Sequence, residues 1–127
     1  SIVQELLRYD SAVQLVSRVN FEEVKIEGKT FDRGTHFFLN LGAANRDKTI
    51  FSDPDCLKLN RPYINNLAFG GGAHYCIGAS LAKYTVGATI KALLESFPSL
   101  KLDSNFHVTW EQGISLRSIK KLPVTLY

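Results

Sequence analysis

Two stretches of the chain place apolar residues at the spacing of an α-helix. The first helix begins at Ile2, carries Leu6 and Leu7 on one face, and is predicted to stop near Asp10-Ser11. The second is predicted from about Ile77 to Phe97, because apolar residues recur every three or four positions until a proline ends the pattern. The sequence therefore predicts two helices, one at the start of the chain and a longer one in its second half.

Between and after these helices, apolar and polar residues alternate, which is typical of strands. Residues 16–41 predict a small β-meander, and residues 43–62, which are rich in Asn, Asp and Pro, predict a long irregular loop. Residues 106–110, 114–117 and 122–127 predict a second β-region. The predicted class is α+β, with helices and antiparallel strands in separate parts of one chain.

The composition limits the size and the environment of the protein. With 127 residues, 45% of them hydrophobic, the chain suits one small domain that cannot enclose a large ligand on all sides. Two cysteines, Cys56 and Cys76, are too few for a disulfide scaffold, so we expect reduced thiols in a cytoplasm. No stretch approaches the roughly 18 apolar residues of a membrane span. Apolar residues follow helical spacing from the first residues of the chain, which starts at Ser1 and contains no methionine, so we expect a fragment.

Charge is distributed unevenly between the two halves of the chain. Residues 1–56 hold nine acids and seven bases, whereas residues 57–127 hold three acids and eight bases. A bias of this size usually marks a solvated face. Because no helix concentrates the basic residues in a stripe, the pattern does not indicate a nucleic-acid partner.

The segment at residues 67–79, LAFGGGAHYCIGA, carries the candidate chemistry. Glycines before a helix can cradle phosphate, but the Gly-Lys-Ser/Thr end of a P-loop and the strand before a dinucleotide loop are both missing. Cys76 lies just ahead of a predicted helix N-terminus, where free N–H groups and the helix dipole favour a thiolate. The glycines leave room for a flat, wide group, and Phe69 adds an apolar wall. These features together describe an axial thiolate ligand under a haem.

Residues 69–78, FGGGAHYCIG, closely resemble the haem-ligand signature of the cytochrome P450 family, Phe-x-x-Gly-x-x-x-Cys-x-Gly. Three further motifs resemble the same family. Residues 5–8, ELLR, resemble its Glu-x-x-Arg helix, residues 44–47 and 51–55 resemble the loop before the ligand segment, and Asn60-Arg61 ends that loop. The motifs follow the family's order, and the resemblance covers essentially the whole chain.

The resemblance implies haem b as the cofactor and Cys76 as its iron ligand. Backbone N–H groups near Ile77 and Gly78 are expected to donate to the sulfur, while His74 and Arg18 match positions that pair with the haem propionates. The residues expected to bind the cofactor are Arg18, Phe69, Gly70, Gly72, His74, Cys76, Ile77 and Gly78. No catalytic side chain is expected within this chain.

By the same resemblance, residues 1–127 form the carboxy-terminal haem-ligating segment of a mainly helical fold, with a long helix after the ligand loop and a terminal β-hairpin. The amino-terminal helices and the distal helix are expected to be missing. The implied activity is monooxygenation of a small apolar organic substrate, with electrons from a redox partner such as a ferredoxin. The chain alone is expected to be inactive, and to lose haem or self-associate, because one haem face would be open to water.

Other interpretations compete with this one. A truncated relative could serve as a non-catalytic binding or assembly module. Cys56, His74 and Cys76 could bind zinc, although nineteen residues separate the two cysteines and no Cys-x-x-Cys pair occurs. Taken alone, Cys76 could also be a buried small hydrophobe.

Glu5 and Arg8 are expected to be structural and buried, since an exposed pair of this kind would contribute only about 0.2–0.5 kcal/mol. Cys56 stands where many members of the family carry an arginine that completes this network. We therefore expect the pair to lack its third member.

Overall fold

The computed structural model describes residues 2–126. Its helices and strands are, in chain order, α1 (Ile2–Tyr9), β1 (Leu15–Val19), β2 (Val24–Ile26), β3 (Lys29–Phe31), β4 (His36–Asn40), α2 (Leu41–Ala44), α3 (Ala79–Ser96), β5 (Lys101–Leu102) and β6 (Val124–Thr125). A short 3-10 turn, Gly72–His74, precedes α3. The α+β class is confirmed, and both predicted helices end within two residues of the expected positions.

The first four strands form a nested hairpin in place of the predicted meander. β1 pairs antiparallel with β4, and β2 pairs antiparallel with β3 at the tip. At the joint between the two pairs, the side-chain amide of Asn20 donates to the carbonyls of Glu22, Phe31 and Asp32. The alternating pattern predicted that strands occur, but it did not show how they pair.

The predicted loop after the sheet contains one unpredicted element. β4 ends at Asn40 because the Asn40 side chain caps α2, accepting the N–H of Ala43 at 2.9 Å. The side chain of Leu41, the first residue of α2, is buried. Residues 45–62 are irregular, as predicted.

The predicted second β-region is mostly wrong. Its last segment, 122–127, contains β6, but β6 pairs with β5, and Tyr127 lies outside the described residues. Segments 106–110 and 114–117 form isolated bridges only. The backbone of residues 114–117 forms hydrogen bonds with residues that follow α1. Alternation of apolar and polar residues does not predict such a contact.

The buried apolar core is small for the length of the chain. Within residues 2–126, the fully buried apolar residues are Leu41, Phe51, Ala68 and Ala79. The accessible surface is 9718 Å², whereas a compact domain of this mass exposes about 6,800 Å². Large apolar side chains stay exposed, with Ile114 at 80%. The molecule thus presents extensive apolar surface that its own residues do not cover.

No helix within residues 2–126 combines the length and the apolar content needed to cross a bilayer.

Candidate functional site

Cys76 lies in a tight loop directly before α3. Its N–H donates to the carbonyl of Phe69 at 3.0 Å, which closes the loop, and its carbonyl accepts the N–H of Ala79 at 3.2 Å. Because Ala79 is the buried first residue of α3, these bonds anchor the loop on the helix. Cys76 is an exposed free thiol, so the interpretation of this cysteine as a buried hydrophobe is wrong.

Glycines determine the backbone path around the sulfur. Gly70 and Gly72 have φ angles of +71° and +61°, a region that residues with a β-carbon disfavour. At Gly78, the residue before α3, an added β-carbon would lie 3.8 Å from the sulfur of Cys76. The glycines therefore bend the chain at two positions and bring its backbone close to the sulfur at a third.

We expect Gly70→Ala to reduce the free energy of unfolding by about 1–2 kcal/mol, since a φ of +71° strains a side chain. The new β-carbon would also approach the carbonyl oxygen of His74 at 3.4 Å. Urea denaturation measures the loss. Gly71→Ala is the matched control, because Gly71 has an extended φ of −161° and its β-carbon would meet only the end of Leu67. Equal losses in the two variants would contradict the prediction.

A cleft of about 310 Å³ opens beside the loop at residues 69–76, which is called the ligand loop below. Of the predicted cofactor-binding residues, the structure brings together at this cleft Arg18, Phe69, Gly70, His74 and Cys76. The other three predicted residues, Gly72, Ile77 and Gly78, do not line it. The side chain of Ile77 is fully exposed.

Most of the cleft wall is apolar, and much of it comes from residues that were not predicted to bind the cofactor. These residues are Leu7, Ala12, Leu41 and Ala68. Val13 and Val16, which were not predicted to bind the cofactor, also line the cleft. The apolar face of α1 indicated that Leu7 packs against another part of the molecule. Nothing in the sequence indicates that α1 faces the ligand loop.

An arginine and a histidine contribute to the wall of this apolar cleft. Arg18 is half-buried on β1, and its guanidinium donates to the neighbouring carbonyl of Ser17 at 2.7 Å. His74 is exposed at the end of the 3-10 turn. Within residues 2–126 neither side chain is paired with a carboxylate. Both are therefore available to an anionic group in the cleft.

The zinc alternative has no support within residues 2–126, where no group of three His, Cys, Asp or Glu side chains could hold a metal ion. Cys56 lies elsewhere, in the loop before the ligand segment, and its carbonyl accepts hydrogen bonds from Arg8 and Arg61.

A buried ionic network joins α1 to the loop before the ligand segment. The carboxylate of Glu5 accepts hydrogen bonds from Nε of Arg8 at 2.7 Å and from Nε of Arg61 at 3.0 Å. The three side chains are at most 5% exposed. The expectation that the pair lacks a third member because of Cys56 is wrong: Arg61 fills that role from a different position in the chain.

The same contacts decide the ionisation of Glu5. Burial raises the pKa of its carboxyl, but hydrogen bonds from Arg8, from the N–H of Lys58 and from Arg61 outweigh burial and bring the pKa to about 2, against an ordinary value of 4.5. Glu5 is therefore ionised throughout the neutral range.

Asn45 connects this network to the ligand loop. Its carbonyl accepts Nη1 of Arg8 at 2.9 Å, and its side-chain Oδ1 accepts the N–H of Leu67 at 2.6 Å. Asn45 is completely buried. The motif at residues 44–47 marked this region as a loop, but the motif did not show that one asparagine fixes the start of the ligand segment.

Comparison with known proteins agrees with this geometry. The family model of cytochrome P450 matches residues 1–120. The biotin biosynthesis cytochrome P450 of Bacillus subtilis (strain 168) is 41% identical over 123 residues, which are 97% of this chain and 31% of that protein. Nocardicin C N-oxygenase of Nocardia uniformis subsp. tsuyamanensis is 40% identical over 126 residues, covering 97% of this chain and 32% of that protein.

The fold agrees with a solved structure of P450BioI in complex with an acyl carrier protein ligated with hexadec-9Z-enoic acid. The TM-score is 0.92 at 39% identity, over 98% of this chain and 32% of that one. The chain belongs to the cytochrome P450 family. It spans about a third of the length of the relatives that it matches.

Proposed function

We propose that this chain is the carboxy-terminal haem-ligating segment of a cytochrome P450 monooxygenase, with Cys76 as the axial ligand of the iron. The observation that carries the proposal is the cleft, in which an exposed thiol lies among apolar walls with an arginine and a histidine that are not paired with a carboxylate. A sulfur donor suits haem iron, apolar walls suit a porphyrin, and cations suit its two propionates. The residues present therefore fit haem b.

Each predicted residue has a role in this proposal. Phe69 and Gly70 would face the macrocycle, Arg18 and His74 would pair with the propionates, and the N–H groups of residues 77 and 78 would donate to the sulfur of Cys76. Gly72 would act through the turn that its positive φ permits. Bound haem supplies the chemistry that inserts one atom of O₂ into a substrate C–H bond. The chain's own contribution is to hold the sulfur in place.

The proposed substrate is a small apolar organic molecule. Residues 13–16 and Ile114-Ser115 would form two edges of its pocket. The support is their proximity, since the N–H of Gln14 donates to the carbonyl of Ser115 at 2.8 Å and Val13 bridges to Leu116.

The proposed electron donor is an acidic ferredoxin. Residues 57–127 hold eight bases and three acids, so this part of the chain would attract an acidic partner. The free thiols Cys56 and Cys76 suit a reducing cytoplasm, where we place the protein.

The uncovered apolar surface affects how these residues would behave without the rest of the protein. We infer that residues 1–127 act as one unit that needs a cover: without one, they would self-associate and release haem, because an exposed apolar area of this extent favours association.

The proposal is tested by the spectrum of the haem-carbonyl complex. The complete gene product that contains these residues is loaded with haemin, reduced and exposed to carbon monoxide. We expect the red-shifted Soret band of a thiolate-ligated carbonyl, and its complete loss in Cys76→Ser. Cys56→Ser is the matched control, since it removes the other exposed thiol and should keep the band. A band that survives Cys76→Ser would refute the ligand assignment, and no band in the parent protein would favour the non-catalytic module.

A further inference from the structure

Lys83 reaches from α3 back to both ends of the ligand loop. Its Nζ donates to the hydroxyl of Tyr75 at 3.1 Å. The same nitrogen lies 5.3 Å from the centre of the Phe69 ring and 5.8 Å from the centre of the Tyr75 ring. One ammonium group thus contacts the residue whose carbonyl closes the loop and the residue directly before Cys76.

These contacts distinguish Lys83 from an ordinary surface lysine. Lys83 is half-buried, and its charge is directed at two aromatic rings and a hydroxyl. Lys91, two turns further along α3, is 74% exposed and lies 3.8 Å from Glu95. A charge that is already engaged with the loop is poorly placed to recruit an external partner.

We propose that Lys83 is a positioning residue for the haem ligand. Its ammonium holds Phe69 and Tyr75 in place; Tyr75 directly precedes Cys76 in the chain, and the carbonyl of Phe69 accepts the N–H of Cys76. The inference rests on the proposed ligation of haem by Cys76 and extends it to a residue of the following helix.

Two physical effects support the role. A cation is attracted to the negative face of an aromatic ring, so Lys83 restrains both rings together with the hydroxyl of Tyr75. Because Lys83 contacts the residue next to Cys76, its positive charge would also stabilise the reduced state of a bound haem iron, which carries one more electron. Removal of the charge should therefore loosen the loop and lower the reduction potential of the iron.

Four variants of the complete gene product separate these effects. Lys83→Met keeps most of the side-chain length without the charge, Lys83→Arg keeps the charge, and Tyr75→Phe removes only the hydroxyl. Lys91→Met is the matched control on the same helix. The measurements are the decay rate of the thiolate-carbonyl band, the midpoint potential of the bound haem, and hydrogen exchange of the Cys76 amide in haem-free protein.

We expect Lys83→Met to speed both the decay of the band and the exchange of the Cys76 amide about fivefold, and to lower the midpoint potential. Lys83→Arg should stay within about twofold of the parent in both rates, with the potential restored. Tyr75→Phe should accelerate exchange by a smaller factor without changing the potential, and Lys91→Met should match the parent.

The proposal is overturned if Lys83→Met behaves as Lys91→Met does while Cys76→Ser still abolishes the band. It is also overturned if Lys83→Met weakens only the salt-dependent binding of a ferredoxin, which would make Lys83 a docking charge. If the parent forms no thiolate-carbonyl band, the proposed function fails separately. In that case, hydrogen exchange of the Cys76 amide in haem-free protein is the measurement that tests the role of Lys83. Unchanged exchange in Lys83→Met overturns that role, and faster exchange supports it.

Discussion

Arg61→Met is expected to lower the free energy of unfolding by about 3–5 kcal/mol. The substitution removes one of the two cations that hold the buried carboxylate of Glu5, while the carboxylate stays buried. It also leaves the carbonyls of Ser52, Asp53 and Cys56 without the donor that they share. Urea denaturation of the parent and the variant measures the difference.

Lys58→Met is the control for this prediction. Lys58 pairs with Asp53 at 2.6 Å, but both side chains are substantially exposed, at 38% and 66%. A pair of this kind contributes about 1 kcal/mol or less. The bond from the backbone N–H of Lys58 to Glu5 survives the substitution. If the two variants lose the same stability, burial of the Arg61 pair is not what stabilises the fold.

The network also predicts how stability depends on pH. The folded pKa of Glu5, about 2, lies below the ordinary value of 4.5. A lowered pKa contributes stability that is fully present above pH 4.5 and is lost as the pH falls towards 2, here about 3 kcal/mol. Glu5→Gln should be less stable at neutral pH, and its stability should vary less between pH 4.5 and 2. A parent and variant with parallel profiles over this range would contradict the assignment.

Asn45→Ala is expected to lower the free energy of unfolding by about 2–3 kcal/mol. The substitution removes the acceptor of the Leu67 N–H in a completely buried position, and an unsatisfied buried donor costs about 1–3 kcal/mol. The small side chain also leaves a void. Because Leu67 leads into the ligand loop, faster hydrogen exchange at residues 67–70 should accompany the loss in urea denaturation.

Two further variants test the cause of this effect. Asn60 is exposed, so Asn60→Ala should change stability by less than about 0.5 kcal/mol. Asn45→Leu fills a similar volume without providing an acceptor, and it should remain destabilised. Restored stability in Asn45→Leu would show that packing, and not the hydrogen bond to Leu67, makes Asn45 important.

Local patterns predicted the parts of the molecule that local interactions determine. The apolar spacing placed α1 and α3 within two residues of their ends, and the motif at residues 69–78 identified four residues that line one cleft. The family resemblance drawn from four motifs is confirmed.

Features that depend on contacts distant in sequence were missed. Arg61 reaches Glu5 across 56 positions, so no local motif could show that it completes the network. The nested hairpin has three hydrogen bonds from the Asn20 side chain at its joint, and alternation alone predicts a meander equally well. Residues 114–117 form backbone hydrogen bonds with residues 12–15, about 100 positions earlier in the chain.

The five hydrogen bonds of the Arg8 guanidinium have a consequence for the order of folding. Two go to Glu5 within α1, but the other three go to carbonyls 37, 46 and 48 positions later. Closing loops of this length costs entropy before any contact compensates for it, and such pairings slow folding. Helix α1 is therefore synthesised before the residues that it docks against, and it can dock only after residue 61 has emerged from the ribosome. Until then its charged pair stays in water, and the nascent chain depends on a late, long-range step to reach the native state.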